Sequence, residues 1–170
     1  MDISIIPLNS DLAKDLAEAF SRGGWNKPSG QFVKYMRQHE EGEILCLVAK
    51  VAGDVAGYLK ILWFPDYAAL RESEVPEIQD LNVLDQFRRR GVASQLLDRA
   101  EEEVAQQANL VGIGVGLHPG YNAAQRLYVL RGYAPDGLGV TYKDEYVEMD
   151  QVVTFDDDLV LHFTKELRRP

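Results

Sequence analysis

The sequence predicts a single mixed α/β domain of the α+β kind. Three observations carry this. The chain has 170 residues, 46% of them hydrophobic, enough for one domain with a real core and too few for two comfortable ones. Short apolar runs bounded by turn residues outnumber stretches of helical period. Two of those runs are joined by Ala52-Gly53-Asp54, a hairpin signal, and a strand–helix–strand portion follows, so the sheet should be mixed. The expected order is β-α-α-β-β-β-α-β-α-β with a weak further strand near Val140. That makes six to seven strands and about four helices in one domain over residues 1–170.

Residues 3–8 alternate weakly and read as the first strand. Asn9 or Ser10 can cap a helix through Phe20, with Leu12, Leu16 and Phe20 on one face. Gly23-Gly24 stops it, Trp25-Asn26-Lys27-Pro28 is a loop, and Phe32, Tyr35 and Met36 mark a second short helix. Residues 44–50 and 55–64 form the hairpin, 66–73 a polar connection and 77–84 a strand. Residues 92–108 read as a helix with an apolar stripe of Leu96, Leu97, Ala100 and Val104. In the strand at 111–117, Val111, Ile113, Val115 and Leu117 lie on one face and Gly112, Gly114 and Gly116 on the other. The helix at 122–131 should point Leu127 and Leu130 inward, with Gly132 just past its end. A loop fills most of 136–158, and 159–164 is the last strand.

Charge and composition remove several function classes. Eighteen basic residues against 27 acidic ones give a net charge of −9, which disfavours nucleic-acid binding and mildly favours cationic small substrates. The one cysteine, Cys46, lies in the apolar run ILCLVA and reads as a core thiol. No apolar stretch approaches the roughly 20 residues of a membrane span, and the first residues lack the features of a signal peptide, so a soluble cytoplasmic protein is expected. His39, His118 and His162 are scattered without metal-ligand spacing, so no metal is expected, and His118 reads as a turn residue. No P-loop and no Ser-His-Asp or Cys-His arrangement stands out. If the chain self-associates, a homodimer is the expected assembly.

The densest positive charge raises a question. Arg88, Arg89 and Arg90 run into Gly91 at the start of a helix, where each cation is unfavourable by roughly 0.3–1 kcal/mol. An anion held by the backbone N–H groups of the helix start offsets both the dipole and the repulsion between the arginines. The competing reading is a surface loop whose arginines pair with Asp98, Glu101 or Glu102. The glycine-faced strand leaves two readings as well: a helix packs very close on it, or a thin ligand lies on bare backbone.

Arg88-x-x-Gly91-x-Ala93 and the run NAAQRLYVLRGY at 122–133 resemble two motifs of the GCN5-related N-acetyltransferases. These are the pyrophosphate loop Arg/Gln-x-x-Gly-x-Gly/Ala and the Asn…Leu-Tyr-x-x-x-Gly-Phe/Tyr stretch. The order of elements is also similar over nearly the whole chain. The resemblance implies a mixed, mostly antiparallel central sheet. It implies acetyl-coenzyme A as co-substrate and direct attack by a primary amine of a small molecule or peptide, in a ternary complex. The N–H groups of Leu81, Asn82 and Val83 would hold the acetyl carbonyl and pantetheine. The loop Arg88, Arg89, Arg90, Gly91, Val92, Ala93 and Ser94 would hold the pyrophosphate, with Asn122 and Tyr128 completing the cofactor site. Tyr128 would protonate the departing thiolate, since a phenol near pKa 10 carries its proton at neutral pH.

Glu77 stands eleven positions before Arg88, where some members place a glutamate base, and Asp80 is its rival. An odd separation puts the two on opposite faces of a regular strand unless a bulge intervenes. Trp25, Tyr35 and Asp80, with Trp63 and Tyr142, would contact the substrate. The run Asp156-Asp157-Asp158 is a solvated loop or an attractor for a cationic amine. Two rival readings stay open: a noncatalytic acyl-coenzyme A-binding module, and an anion-binding structural domain with no cofactor.

Overall fold

The computed structural model describes residues 2–25 and 27–168. In chain order the elements are β1 (Ile3–Pro7), α1 (Ser10–Arg22), α2 (Ser29–Glu40), β2 (Ile44–Val51), β3 (Asp54–Leu62), α3 (Ala68–Glu72), β4 (Glu77–Val83), α4 (Val92–Ala105), β5 (Leu110–Gly116), α5 (Asn122–Leu130), β6 (Ala134–Tyr142), β7 (Glu145–Tyr146) and β8 (Leu159–Glu166). Short 3₁₀ turns at Asp85–Phe87 and Pro119–Tyr121 precede α4 and α5. Eight strands and five α-helices among the described residues exceed the six to seven and four expected, within the same mixed, mostly antiparallel class. The chain groups into two compact units, Met1–Trp63 with Ile78–Glu103, and Phe64–Glu77 with Val104–Pro170.

In the first unit the strand order is β1-β2-β3-β4. The Asn9 side chain accepts from the N–H groups of Asp11 and Leu12, so the cap forms as its sequence position suggests. Leu12, Leu16 and Phe20 are buried. The β2–β3 connection is a two-residue turn in which Ala52 and Gly53 both take positive φ, 51° and 92°. Paired positive φ is the turn whose twist matches a hairpin. The rings of Phe20 and Phe32 approach Tyr58 edge-on at 5.2 and 5.3 Å, and Tyr35 meets Phe32 at 6.2 Å. This aromatic core fixes two tyrosines whose hydroxyls matter below.

In the second unit the strand order is β5-β8-β6-β7. The weak strand expected near Val140 is β6, which is longer than expected and pairs with β8. Its register slips between Pro135 and Val140, where Gly137 and Gly139 take φ of 82° and 90°, and this breaks the alternation that marks a strand. The polar connection at 66–73 holds α3, with Tyr67 and Leu70 buried. Leu130, expected inward, is 81% exposed; Tyr128 supplies the buried position of α5 instead. Gly132 takes φ 88° just past the helix end, as expected.

The glycine-faced strand has a plain explanation. A Cβ at Gly112 would lie 2.3 Å from Leu70 Cδ1, and one at Gly116 would lie 2.4 Å from the Tyr121 ring. One at Gly114 would meet Val160, His162 and Glu77. The protein's own side chains cover all three, from α3, β4, β8 and the turn before α5 and not from one closely packed helix, so the bare-backbone ligand reading is corrected and the helix reading holds only at Gly112.

Candidate functional site

The first unit carries the loop. Arg89 and Gly91 take φ of 57° and 84°, and the α4 ladder begins with Gln95 N–H to Gly91 C=O at 3.0 Å. The N–H groups of Gly91, Val92, Ala93 and Ser94 therefore precede the ladder, as at any helix start. A Cβ at Gly91 would meet nothing within 4 Å, so the space over the turn is open. Alternating left-handed residues ahead of a helix turn N–H groups into an anion-binding concavity. Arg89 and Arg90 are exposed, whereas Arg88 is engaged within the loop. Its Nε donates to Val83 C=O at 3.1 Å, its Nη2 pairs with Asp85 at 3.1 Å, and its guanidinium lies 5.6 Å from the Trp25 ring centroid. Arg88 thus shapes the turn, and the backbone forms the concavity. An anionic polyphosphate fits these residues.

Asp80 is the second centre in this unit. It takes φ 56° inside β4, a conformation that an aspartate tolerates better than most residues and that interrupts the pleat. The alternation rule separating Glu77 from Asp80 therefore fails at Asp80 itself. Five donors converge on its carboxylate. Lys27 Nζ (3.2 Å) and Asn82 Nδ2 (2.6 Å) reach Oδ1, while Gln31 Nε2 (3.1 Å) and the hydroxyls of Tyr35 (2.8 Å) and Tyr58 (2.9 Å) reach Oδ2. Burial pushes the Asp80 carboxyl up, but the Lys27 charge and these hydrogen bonds outweigh it and hold the group below the usual carboxylate range. Asp80 stays ionised and is a poor proton acceptor. Three residues expected to touch substrate, Trp25, Tyr35 and Asp80, meet here. Lys27, Gln31 and Tyr58 join them with no signal in their spacing.

The second unit holds Glu77, Asn122 and Tyr128. Glu77 is 2% exposed and its Oε1 lies 3.6 Å from Nδ1 of His162, which is equally buried. His162 stacks on Tyr67 with ring centroids 3.8 Å apart, and its Nε2 lies 3.0 Å from Thr141 Oγ1, while Nδ1 has no hydrogen-bond partner. Tyr128 is buried in α5 beside Tyr133, and burial pushes its phenol above the ordinary value. Asn122 is exposed at the first position of α5.

His118 caps the turn before α5. Its Nδ1 accepts from Gly120 N–H, which leaves the proton on Nε2 to donate to Asp157 at 2.7 Å. Tyr142 donates to Asp156 at 3.2 Å, so the acidic run is tied into its own unit. Burial pushes the Cys46 thiol up to about 12, which makes it inert.

A groove of about 490 Å³ lies in the first unit between α1 and the Leu84–Phe87 turn, lined by Asp15, Arg22, Val55 and Phe87 among others. None of the expected site residues lines it. No group of three or more His, Cys, Asp or Glu side chains among the described residues could hold a metal ion. No helix among them is long and apolar enough to cross a membrane.

The acetyltransferase (GNAT) family matches residues 10–133, and the chain belongs to that family. No curated protein matches the chain. Solved structures match it over nearly their whole length at low identity. An N-acetyltransferase from Staphylococcus aureus Mu50 is 16% identical, with 99% of this chain and 100% of that chain covered and a TM-score of 0.71. The ribosomal-protein-alanine N-acetyltransferase from Brucella melitensis is 17% identical, with 96% and 99% covered and a TM-score of 0.70. The yncA structure from Salmonella typhimurium, with its cofactor acetyl-CoA, is 15% identical, with 99% and 95% covered and a TM-score of 0.70. At these identities the likeness is one of fold.

Proposed function

We propose that the protein transfers the acetyl group of acetyl-coenzyme A to a primary amine of a small molecule or peptide, by direct attack in a ternary complex. The observation that carries this is the open turn at Arg89–Gly91 leading into α4, in a chain of the acetyltransferase family. The N–H groups from Arg89 to Ser94 receive the pyrophosphate, with Arg88 holding the turn in shape. The N–H groups of Leu81, Asn82 and Val83 receive the pantetheine and the acetyl carbonyl.

The amine nitrogen attacks the thioester carbon, the C–S bond breaks, and the electron pair leaves on sulfur. Tyr128 gives its phenolic proton to that thiolate, and the proton that the attacking nitrogen loses as the amide forms restores the phenol. Its burial favours the protonated form, which supports the role. Glu77 receives the proton that the ammonium loses before attack. Its rival Asp80 is held ionised below the usual carboxylate range by its donors and is a poor proton acceptor, which favours Glu77 for this role. Asn122 stands at the start of the helix that carries Tyr128 and contributes to the cofactor site.

Release of coenzyme A thiol with acetyl-coenzyme A and a panel of primary amines tests this reading. Amine-dependent release supports it. Binding of acetyl-coenzyme A without amine-dependent release would make the protein an acyl-coenzyme A-binding module. Tyr128→Phe should lower kcat by about 10²-fold, as for loss of a general acid, and leave cofactor affinity within about twofold. A collapse in affinity would instead give Tyr128 a binding role.

A further inference from the structure

Lys27 lies in the loop between α1 and α2, and its ammonium is 3.2 Å from Asp80 Oδ1. The same nitrogen is 6.0 Å from the Trp25 ring centroid and 5.8 Å from that of Tyr58. A carboxylate with two aromatic faces around one ammonium is an arrangement that recognises alkylammonium ions. Gln31, Tyr35 and Tyr58 all donate to Oδ2, so Oδ1 keeps Asn82 and has room for one further donor, the place that Lys27 fills. What Lys27 adds is positive charge, on a side chain that is 19% exposed and so has a way out to solvent. A second ammonium on a slender aliphatic stem would find the same oxygen and the same two rings.

We propose that the Asp80–Trp25–Tyr58 slot is a binding site for an aliphatic primary ammonium of the acceptor substrate, and that Lys27 is its internal stand-in, displaced when that ammonium enters. Calling the ligand a substrate rests on the acetyltransferase reading; the slot itself does not. The four neutral donors remain when the entering ammonium takes the place of Lys27, so Asp80 meets a cation in either state and the slot recognises the ammonium without taking its proton. The net charge of −9 draws such a cation to the protein. A free alkylamine and a lysine side chain of a peptide present the same chemistry here. Trp25 also ties the slot to the anion turn, because Arg88 lies over the same ring.

The test uses the full chain and its Lys27→Ala variant, titrated with n-butylammonium chloride at constant ionic strength and followed by thermal shift and calorimetry. The variant should bind n-butylammonium about tenfold more tightly than the wild type, whose slot is filled. n-Butanol should give no shift, and adding Asp80→Asn to the variant should abolish the gain. A parallel titration with Nα-acetyl-lysine methylamide separates the sources: the tighter ligand names the free amine or the peptidyl lysine. Lys27→Gln, which keeps a polar side chain without charge, replaces the alanine variant if the latter does not fold. A folded variant that binds n-butylammonium no better than the wild type overturns the proposal. Acetyl-coenzyme A binding is measured separately, so the slot can fail with the acetyltransferase reading intact, and the reverse.

Discussion

Glu77 and Asp80 stand three positions apart on β4 and meet opposite surroundings. Asp80 is wrapped by Lys27, Asn82, Gln31, Tyr35 and Tyr58, and each of them stabilises its charge. Glu77 is more deeply buried, and its Oε1 lies 3.6 Å from Nδ1 of His162. Depth alone therefore does not decide which carboxylate can handle a proton. Five donors, one of them a cation, hold Asp80 ionised and suit it to binding an ammonium, while on the proposed reading Glu77 is the acid that takes the proton. The positive φ at Asp80 marks the break between the two environments within one strand.

The strongest way to break this contrast is to neutralise each acid in turn. Glu77→Gln should lower kcat by about 10²-fold with little change in KM for the amine, as for loss of a general base. Asp80→Asn should do the reverse, raising KM for cationic amines about tenfold while kcat changes little. Steady-state kinetics on both variants decide the matter, and exchanged phenotypes would reverse the assignment.

A smaller effect is expected on stability. Asp80→Asn leaves the Lys27 charge without its partner and should cost about 2 kcal/mol in urea unfolding at pH 7. Because the folded Asp80 carboxyl lies below its ordinary value of 3.8, its contribution is present above that value and lost as pH falls through the lower folded one. The gap between wild type and variant should therefore close in strong acid. A gap independent of pH would show that lost packing, not charge, carries the difference.

The smallest effect belongs to Asp144, at the edge of the Glu77 environment. Burial raises its carboxyl first, and the Glu77 charge adds to this while His162 opposes it. Ionised Asp144 therefore costs stability, a cost absent below the ordinary value and complete above the raised one. Solvent screening of this partly exposed carboxylate keeps the effect small, so Asp144→Asn should stabilise the protein by about 0.3 kcal/mol at pH 7, and asparagine also suits the φ of 64° there. A loss of stability in thermal unfolding at pH 7 would contradict this sign.

How far the sequence reveals these features depends on whether the signal is local. The cap at Asn9, the Ala52-Gly53 turn and the stop at Gly132 act over two to four residues and are legible. The left-handed turn ahead of α4 is legible for the same reason, since Arg88, Gly91 and the start of α4 are contiguous. β6 reads only as a weak strand near Val140 because Gly137 and Gly139 break its alternation, and α3 escapes because it is only five residues long. The Asp80 slot escapes because its members come from separate elements; Lys27 reaches Asp80 across 53 positions. Tyr58 reads as one more residue of a hairpin strand until the sheet brings it to Asp80. His162 looks like one of three scattered histidines until β8 sets it beside Glu77 and Thr141.

The most direct measurement is calorimetric titration of the full chain with acetyl-coenzyme A at pH 7, beside its Gly91→Ala variant. Gly91 has open space around it but a φ of 84°, so alanine strains the turn by about 1 kcal/mol and leaves no clash. The expected result is one molecule bound per chain, with about tenfold weaker binding by the variant. No binding by the wild type would contradict the acetyltransferase reading and leave the Arg88-Arg89-Arg90 turn as a surface loop.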